Sequence, residues 1–153
     1  MTTSNSLSPA WRPVPRIRPL AIGLLERDNA YLVTEVCDDA GSVKGWRPLG
    51  GGIEFGETAK DAVRREFEEE IALDVTCQQL VAVLENIYEH EGHAGHEIVF
   101  VYAASPVDKS TPLEDRYKIV EGTMSASAVW KTFEAMQSEP GDIYPVGLAD
   151  YLR

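Results

Sequence analysis

The chain has 153 residues, 44% of them hydrophobic and 25% charged, which is the size and composition of one globular domain. Its formal net charge of -11 excludes nucleic acid as a partner, because phosphate backbones are bound by Lys- and Arg-rich surfaces. No apolar run has the length of a transmembrane helix, and Met1 to Pro19 lacks the apolar centre of a secretory signal. We therefore expect a cytoplasmic protein with no membrane partner.

The N-terminal region combines a proline-rich tail with a predicted hairpin. Residues 1–16 are expected to form a flexible tail, and residues 17–153 a single domain. Ile17 to Leu25 and Tyr31 to Cys37 are rich in Val, Ile, Leu and Thr, as strands are. Asp28-Asn29 lies between them as a turn, so these segments predict a β-hairpin.

The later elements alternate between strands and helices without a regular βαβ order. Thr58 begins the clearest helix, where it can act as N-cap with Asp61 three residues later. The others are strands at Trp46–Leu49, Val75–Ile87, Glu97–Ala103 and Met124–Trp130, a polar loop at Tyr88–Gly95, and helices at Thr132–Gln137 and Val146–Leu152. This mixture predicts an α/β (α+β) sandwich.

The glutamates of the helix from Thr58 to about Ile71 lie on its apolar side. At about 100° per residue, Glu66 and Glu70 fall inside the apolar stripe and Glu69 borders it. A merely solvated charged face is the common alternative, but it would place these carboxylates opposite Phe67. Oxygens at positions i, i+3 and i+4 converge, and hard oxygen ligands suit Mg²⁺ or Mn²⁺. The pattern therefore predicts a metal site.

Three glycines, Gly50 to Gly52, precede this helix. Glycine backbone can adopt positive φ and approach a ligand closely, so its carbonyl and N–H groups can contact metal or phosphate. Glycines alone would indicate only a turn. Together with the three helix carboxylates, they favour a site for a metal-bound phosphate.

The segment from Gly51 to Leu73 resembles the Nudix box, G-x5-E-x7-R-E-U-x-E-E-x-G-U, where U is a bulky apolar residue. The positions that match are Gly51, Glu57, Arg65, Glu66, Phe67, Glu69, Glu70 and Leu73. Ala72 departs from the pattern, because it stands where the family has a glycine that ends the helix. Trp46-Arg-Pro-Leu-Gly, Trp130 and Tyr144-Pro145 also resemble Nudix segments, so the resemblance covers nearly the whole domain.

The resemblance implies an α/β/α sandwich with a mixed central sheet and assigns roles to the matching residues. Glu66, Glu69 and Glu70 would bind Mg²⁺ or Mn²⁺, with the carbonyl of Gly50 as a further ligand. Two other residues would support these ligands: Glu57 would brace the loop and helix, and Arg65 would orient the glutamates by ion pairing.

The resemblance also implies a reaction, in which a metal-bound water attacks a diphosphate phosphorus of a nucleotide-like small molecule. A glutamate outside the box often acts as the base in this family. Glu121 is the first candidate, in an expected loop after the Glu97 strand, and Glu97 and Glu114 are the alternatives. The substrate is left open among ADP-ribose, nucleotide sugars, dinucleoside polyphosphates and nucleoside triphosphates.

Two other functions are compatible with such a fold. A ligand-sensing or protein-binding module is disfavoured because all three metal glutamates are present. An isoprenoid diphosphate isomerase is disfavoured by the chain length and the lack of a cysteine near the box. A homodimer is compatible with the sequence.

Several other residues could contribute, on weaker grounds. His90, His93 and His96 could form a zinc site, but no fourth ligand has a motif spacing, which favours a solvent-facing loop near the substrate. Tyr88 and Trp46 could stack on a base, although aromatic residues in strands more often belong to the core. We assign no chemistry to the two cysteines, Cys37 and Cys77.

Overall fold

The computed structural model describes residues 10–121, 124–138 and 140–153. In chain order the elements are β1 (Ile17–Arg27), β2 (Ala30–Cys37), β3 (Val43–Gly52), α1 (Ala59–Ile71), β4 (Val75–His90), β5 (His93–Pro106), β6 (Arg116–Glu121), β7 (Met124–Thr132), α2 (Phe133–Ser138), β8 (Asp142–Ile143) and a 3-10 helix (Leu148–Tyr151). Within these ranges, no helix is both long and apolar enough to cross a membrane.

The strands form one mixed sheet in the order β4-β5-β1-β3-β2-β7-β6, with β8 paired to β3. β1 and β5 run parallel, as do β3 and β8, whereas the other pairs are antiparallel. Helix α1 covers one face with Val63 and Phe67. The other face packs against α2 and the 3-10 helix through Met136 and Leu148. The predicted α/β/α sandwich with a mixed central sheet is confirmed.

The hairpin between β1 and β2 forms as the sequence predicts, with Arg27 paired to Ala30. Asp28 and Asn29 both have positive φ, 51° and 65°. A two-residue hairpin turn of this kind requires a left-handed conformation at both positions, which Asp and Asn tolerate better than most residues.

Two segments differ from the sequence expectations. The expected loop at Tyr88–Gly95 is instead the end of β4 and the start of β5, joined by Glu91 and Gly92 with φ of 50° and 78°. Polar side chains here reflect exposed strand ends rather than a loop. The C-terminal helix is only a 3-10 turn that begins at Leu148, because Gly147, with φ of 93°, interrupts helical geometry before it.

The segment that ends at Glu121 also differs from expectation. The sequence predicts a loop there, whereas the residues belong to β6, which pairs with β7 from Arg116↔Val129 to Glu121↔Met124. Ile119 is buried in the core on this strand, and that burial accounts for the extended conformation.

Residues 1–9 lie outside the described part of the chain, but the end of the expected tail does contact the domain. Both terminal nitrogens of Arg12 donate hydrogen bonds to the Asp39 carboxylate. The ring of Trp11 lies 5.6 Å from that of His90, measured between centroids. The domain boundary between residues 16 and 17 stays a prediction.

Candidate functional site

Helix α1 begins and ends close to where the sequence predicts. The Thr58 hydroxyl accepts a hydrogen bond from the Asp61 backbone N–H at 3.1 Å, which confirms the predicted N-cap. At the other end Ala72 is left-handed, with φ of 53° and ψ of 36°, and its N–H donates to Glu68. Alanine therefore ends the helix in the conformation that usually favours glycine, at a cost of about 1 kcal/mol.

The three glycines Gly50 to Gly52, which we call the glycine loop, form the end of β3, where they pair with β1 and lie against helix α1. Gly50 has a φ of 152°, and a Cβ placed on it would lie 2.7 Å from Ile22 Cα. A Cβ on Gly51 would lie 2.6 Å from Cδ of Glu66. Because only glycine leaves room for these contacts, the loop forms a cradle that the Glu66 carboxylate fills.

Arg65 links the loop to the helix. Its Nε donates to Glu57 Oε2 at 2.8 Å, and its Nη2 donates to Glu57 Oε1 at 3.0 Å and to the Gly52 carbonyl at 3.0 Å. Its Nη1 donates to Glu66 Oε1 at 3.1 Å and to Glu69 Oε2 at 3.3 Å. The hydrogen bond to Glu57 raises the pKa of Arg65, the bond to Glu66 raises it further, and the pKa of Glu57 is lowered by its hydrogen bond with Arg65. Arg65 therefore stays charged and holds the carboxylates in place.

A cavity of about 680 Å³ opens beside this loop, within the usual size of a small-molecule site. Gly50, Glu66 and Glu70 contribute to its wall. Glu69 does not line it and its side chain is 59% exposed, although it contacts the same Arg65 nitrogen as Glu66. The structure thus brings two of the three predicted metal ligands into the cavity and places the third at its edge.

The donor groups beside the cavity fit a hard divalent cation. Glu66 and Glu70 offer carboxylate oxygens, the glycine loop offers carbonyls, and the cradle at Gly51 holds one carboxylate against the loop. Oxygen donors of this kind are those that Mg²⁺ and Mn²⁺ prefer. The carboxylate oxygens of Glu66, Glu69 and Glu70 do not all lie within 4.8 Å of one another.

Among the described residues, one group of three potential ligands is gathered that tightly: Asp39, His90 and Glu91. Basic side chains of the protein already contact this group: Arg12 forms an ion pair with Asp39, and Lys44 Nζ lies 3.0 Å from His90 Nδ1. Burial lowers the pKa of His90, and the positive charge of Lys44 lowers it further. The donor chemistry of the helix and glycine loop is therefore the better match to a metal.

The three candidates for a base outside the box lie in different places. Glu97 is 8% exposed and lines the cavity. Glu114 is exposed and does not line it. Glu121 ends β6, and its side chain lies outside the described part of the structure; Ile119, two residues earlier, lines the cavity.

The three histidines do not converge on one point, and only one of the two candidate aromatic residues faces the cavity. His90 pairs directly with His93, whereas His96 lies three positions further along β5 and so on the opposite face. Three converging histidine ligands are incompatible with that alternation. Tyr88 lines the cavity, whereas Trp46 is buried in the core and does not.

The sequence interpretation missed several polar residues of the cavity, among them Arg18, Arg47 and Asn86. Arg47 is half-buried, and within the described residues its guanidinium has no carboxylate partner. Its place in Trp46-Arg-Pro-Leu-Gly, next to the glycines, is a signal that could have identified it.

Fold and site together define an α/β/α domain with a glycine-rich loop, an acidic helix and a cavity beside them. A model of the NUDIX domain matches residues 15–145 of the chain, so this protein belongs to the Nudix family.

Two curated nucleoside triphosphatases are similar to part of the chain. A nucleoside triphosphatase, NudI, from Escherichia fergusonii is 39% identical over 66 residues, which is 42% of this chain and 47% of that protein. NudI from Escherichia coli is 42% identical over 57 residues, 37% of this chain and 40% of that protein. The chain thus matches less than half the length of these curated relatives.

Solved structures show the same fold at lower identity. A MutT NUDIX hydrolase from Burkholderia pseudomallei superposes with a TM-score of 0.64 at 22% identity, covering 90% of this chain and 99% of that one. A MutT protein from Methanosarcina mazei gives 0.58 at 17% identity, covering 88% and 89%.

Proposed function

We propose that this protein is a Mg²⁺- or Mn²⁺-dependent hydrolase of a phosphoanhydride bond in a nucleoside diphosphate linked to another group. The observation that carries the proposal is that Glu66, Glu70 and the glycine loop share one cavity. Arg65 holds Glu66 and Glu69 from one side while it binds the loop at Gly52. The same arginine therefore ties the proposed ligands to the backbone that would meet the phosphates.

The proposed metal would be held by Glu66, Glu69, Glu70 and the carbonyl of Gly50. Such a cation lowers the pKa of a water and neutralises charge on phosphate oxygens. Glu69 contacts the same Arg65 nitrogen as Glu66, and its exposed side chain can change rotamer. Glu57 and Arg65 act as positioning residues, because they contact the ligands and the loop rather than the cavity's contents.

Arg47 supports an anionic substrate. A half-buried guanidinium without a carboxylate partner is costly unless something negative binds it. It lines the same cavity as Glu66 and Glu70. In a chain of net charge -11, a cation in this position favours phosphate oxygens as its partner.

The substrate class to test first is the nucleoside triphosphates. The NudI relatives carry the name nucleoside triphosphatase, and a triphosphate contains the diphosphate linkage that the proposed site handles. We further propose a cytoplasmic protein that acts as a monomer or homodimer and binds neither nucleic acid nor membrane. The alternative is a catalytically weak module that binds such ligands without cleaving them.

The experiment is a hydrolysis screen of the purified chain with Mg²⁺ over ADP-ribose, nucleotide sugars, dinucleoside polyphosphates and nucleoside triphosphates. Products are separated by chromatography, with EDTA and the Glu70→Gln variant as negative controls. Metal-dependent cleavage of at least one class, lost in Glu70→Gln, is expected. Binding without cleavage in every class would replace the enzyme by the binding module.

A further inference from the structure

Glu97 is a buried carboxylate that the proposed hydrolysis leaves without a role. It lies on β5, is 8% exposed and lines the same cavity as Glu66 and Glu70. Burial of a carboxylate is costly unless its oxygens accept hydrogen bonds. Its neighbours therefore show which hydrogen bonds it already has and which it can still accept.

One oxygen of Glu97 is occupied by Asn86. The Nδ2 group of Asn86 donates to Glu97 Oε1 at 2.9 Å, and Oδ1 of Asn86 accepts from the Val146 backbone N–H at 3.1 Å. Because a backbone N–H can only donate, it fixes the amide orientation and turns Nδ2 toward Glu97. Asn86 is 4% exposed, so this arrangement is well enclosed.

The other oxygen has room for a donor. The Tyr88 hydroxyl lies 3.4 Å from Glu97 Oε2, and Arg18 Nη1 lies 3.6 Å from it. Both distances exceed those of good hydrogen bonds, about 2.7–3.2 Å. A carboxylate oxygen can accept two hydrogen bonds, so Oε2 can take a donor from a molecule in the cavity.

Tyr88 provides an aromatic wall next to this oxygen. Its ring lies over Gly95 on β5, where an added Cβ would be 2.5 Å from Tyr88 Cε1. Burial raises the pKa of Tyr88, and the negative charge of Glu97 raises it further. The ring is therefore held in place beside Glu97 with its hydroxyl protonated.

The distance from Glu97 to the glycine loop suits a nucleotide. Glu97 pairs with Arg18 of β1, whereas Gly51 pairs with Ala21 of the same strand. The two positions are therefore separated by about 10 Å across two strand spacings and about 10 Å along the strands. Both positions line the same cavity, and the separation of their backbones is comparable to the length of a nucleotide.

We propose that Glu97 Oε2 accepts a hydrogen bond from the exocyclic amino group of a nucleobase, so that the site selects amino-bearing bases. The inference rests on the proposed function, because it assumes that a nucleotide fills the cavity. Cytosine and adenine carry such an amino group. Uracil and hypoxanthine carry a carbonyl oxygen in its place, whose lone pairs would face the carboxylate and be repelled.

The test measures binding without turnover. Affinities of CMP against UMP, and of AMP against IMP, are determined calorimetrically in EDTA, since each pair exchanges an amino group for a carbonyl. We expect each amino-bearing nucleotide to bind about 10-fold more tightly or better, the usual effect of one well-placed base contact. Equal affinities within both pairs would overturn the inference.

The Glu97→Gln variant sharpens the test. Its amide oxygen can keep the Asn86 hydrogen bond, which turns its NH₂ group toward the cavity as a donor. The ratio of affinities within each nucleotide pair should then fall to near one or reverse. The control is Glu85→Gln, because Glu85 is exposed on the opposite face of the sheet, where it pairs with Ile98; this variant should keep the ratio. An unchanged ratio in Glu97→Gln would contradict the proposal.

The experiments distinguish failure of the proposed hydrolysis from failure of the proposed role of Glu97. If Glu97→Gln does not fold, the ratio in the unmodified protein decides the matter alone. A base preference in binding without hydrolysis of any nucleotide would overturn the proposed hydrolysis and support the role of Glu97. Hydrolysis of CTP and UTP together with equal binding of CMP and UMP would do the reverse.

Discussion

Arg65 donates two parallel hydrogen bonds to Glu57, from Nε to Oε2 at 2.8 Å and from Nη2 to Oε1 at 3.0 Å. This planar, bidentate geometry is the strongest form of an arginine–carboxylate pair. Glu57 also accepts from the Glu54 backbone N–H at 3.2 Å, so the pair joins the loop before α1 to the helix itself. The position of the glycine loop thus depends on a pair of charges outside the cavity.

The first prediction follows from the lowered pKa of Glu57. Since this pKa is lowered by the Arg65 hydrogen bond, the pair contributes its full stability above the ordinary carboxyl value of 4.5 and loses it as pH falls through the folded-state value. Glu57→Gln should therefore reduce the free energy of unfolding by about 1–2 kcal/mol at pH 7 and by less near pH 3. Urea unfolding at both pH values in EDTA measures this.

Glu54→Gln is the matched control for that experiment. Its carboxylate lies 3.8 Å from Arg65 Nη1 and its side chain is 69% exposed, so its removal should matter little at either pH. A deficit for Glu57→Gln that is equally large at pH 3 would show that the ion pair is not the cause.

The second prediction concerns the glutamates of α1. Glu66→Gln, Glu69→Gln and Glu70→Gln should each lower kcat by roughly 10²-fold or more, because each removes a negative oxygen donor from the proposed metal. Glu68→Gln is the control: it is exposed on the same helix and should keep its activity. The kcat of each variant is measured by steady-state hydrolysis of the best substrate. Full activity in Glu70→Gln would contradict the assignment of a metal site to this helix. Full activity in Glu69→Gln alone would restrict the proposed glutamate ligands to Glu66 and Glu70, which line the cavity.

The third prediction is that Mg²⁺ or Mn²⁺ raises the Tm of the metal-free protein. A ligand that binds only the native state stabilises it by mass action, by about 2.7 kcal/mol at a concentration 100-fold above its Kd. Scanning calorimetry over a range of metal concentrations should show a rising Tm. In Glu66→Gln the rise should shrink, and an equal rise in that variant would place the bound ion elsewhere.

The predicted and observed structures agree where local chemistry determines the backbone. Thr58, Asp28 and Asn29 act through their own hydrogen bonds or tolerance of positive φ, so the helix start and the first turn were predictable. The phase of Glu66 and Glu70 likewise follows from the period of one helix. These features need no knowledge of distant residues.

The differences arise where long-range packing decides. β6 and the long hairpin of β4 and β5 form because their partners lie beside them in the sheet, a contact that local composition does not reveal. The contact between Asn86 and Glu97 depends on the same pairing of two strands. Glu97 and Tyr88 were therefore candidates in the sequence without a known contact between them, whereas the glycines and the acidic helix could be predicted together as one site.

The fourth prediction is that Arg47→Ala weakens substrate binding without destabilising the fold. KM should rise about 10-fold or more, since a charge-assisted contact to phosphate would be lost, while kcat changes less. The Tm of the free protein should stay equal or rise, because a half-buried charge without a carboxylate partner is removed. Arg64→Ala, which breaks an exposed pair with Asp74, should leave KM unchanged. A wild-type KM in Arg47→Ala would contradict a phosphate contact.

The last prediction is that Glu121 contributes to catalysis as a general base. Glu121 ends β6, the strand on which Ile119 lines the cavity, and the resemblance to the Nudix family implies a glutamate base outside the box. A base that removes a proton from water typically contributes about 10²–10⁴ to the rate, so Glu121→Gln should lower kcat by roughly 10²-fold or more.

Its effect on stability separates catalysis from folding. The Tm of Glu121→Gln should stay close to that of the unmodified protein, because a polar exchange at the end of a strand changes the free energy of unfolding by about 0.5 kcal/mol or less. Glu114→Gln, away from the cavity, should match the unmodified protein in both kcat and Tm. The pH profile of kcat should also lose its acidic limb in Glu121→Gln, since the titrating base would be gone. An unchanged kcat and an intact acidic limb would show that the base is another residue.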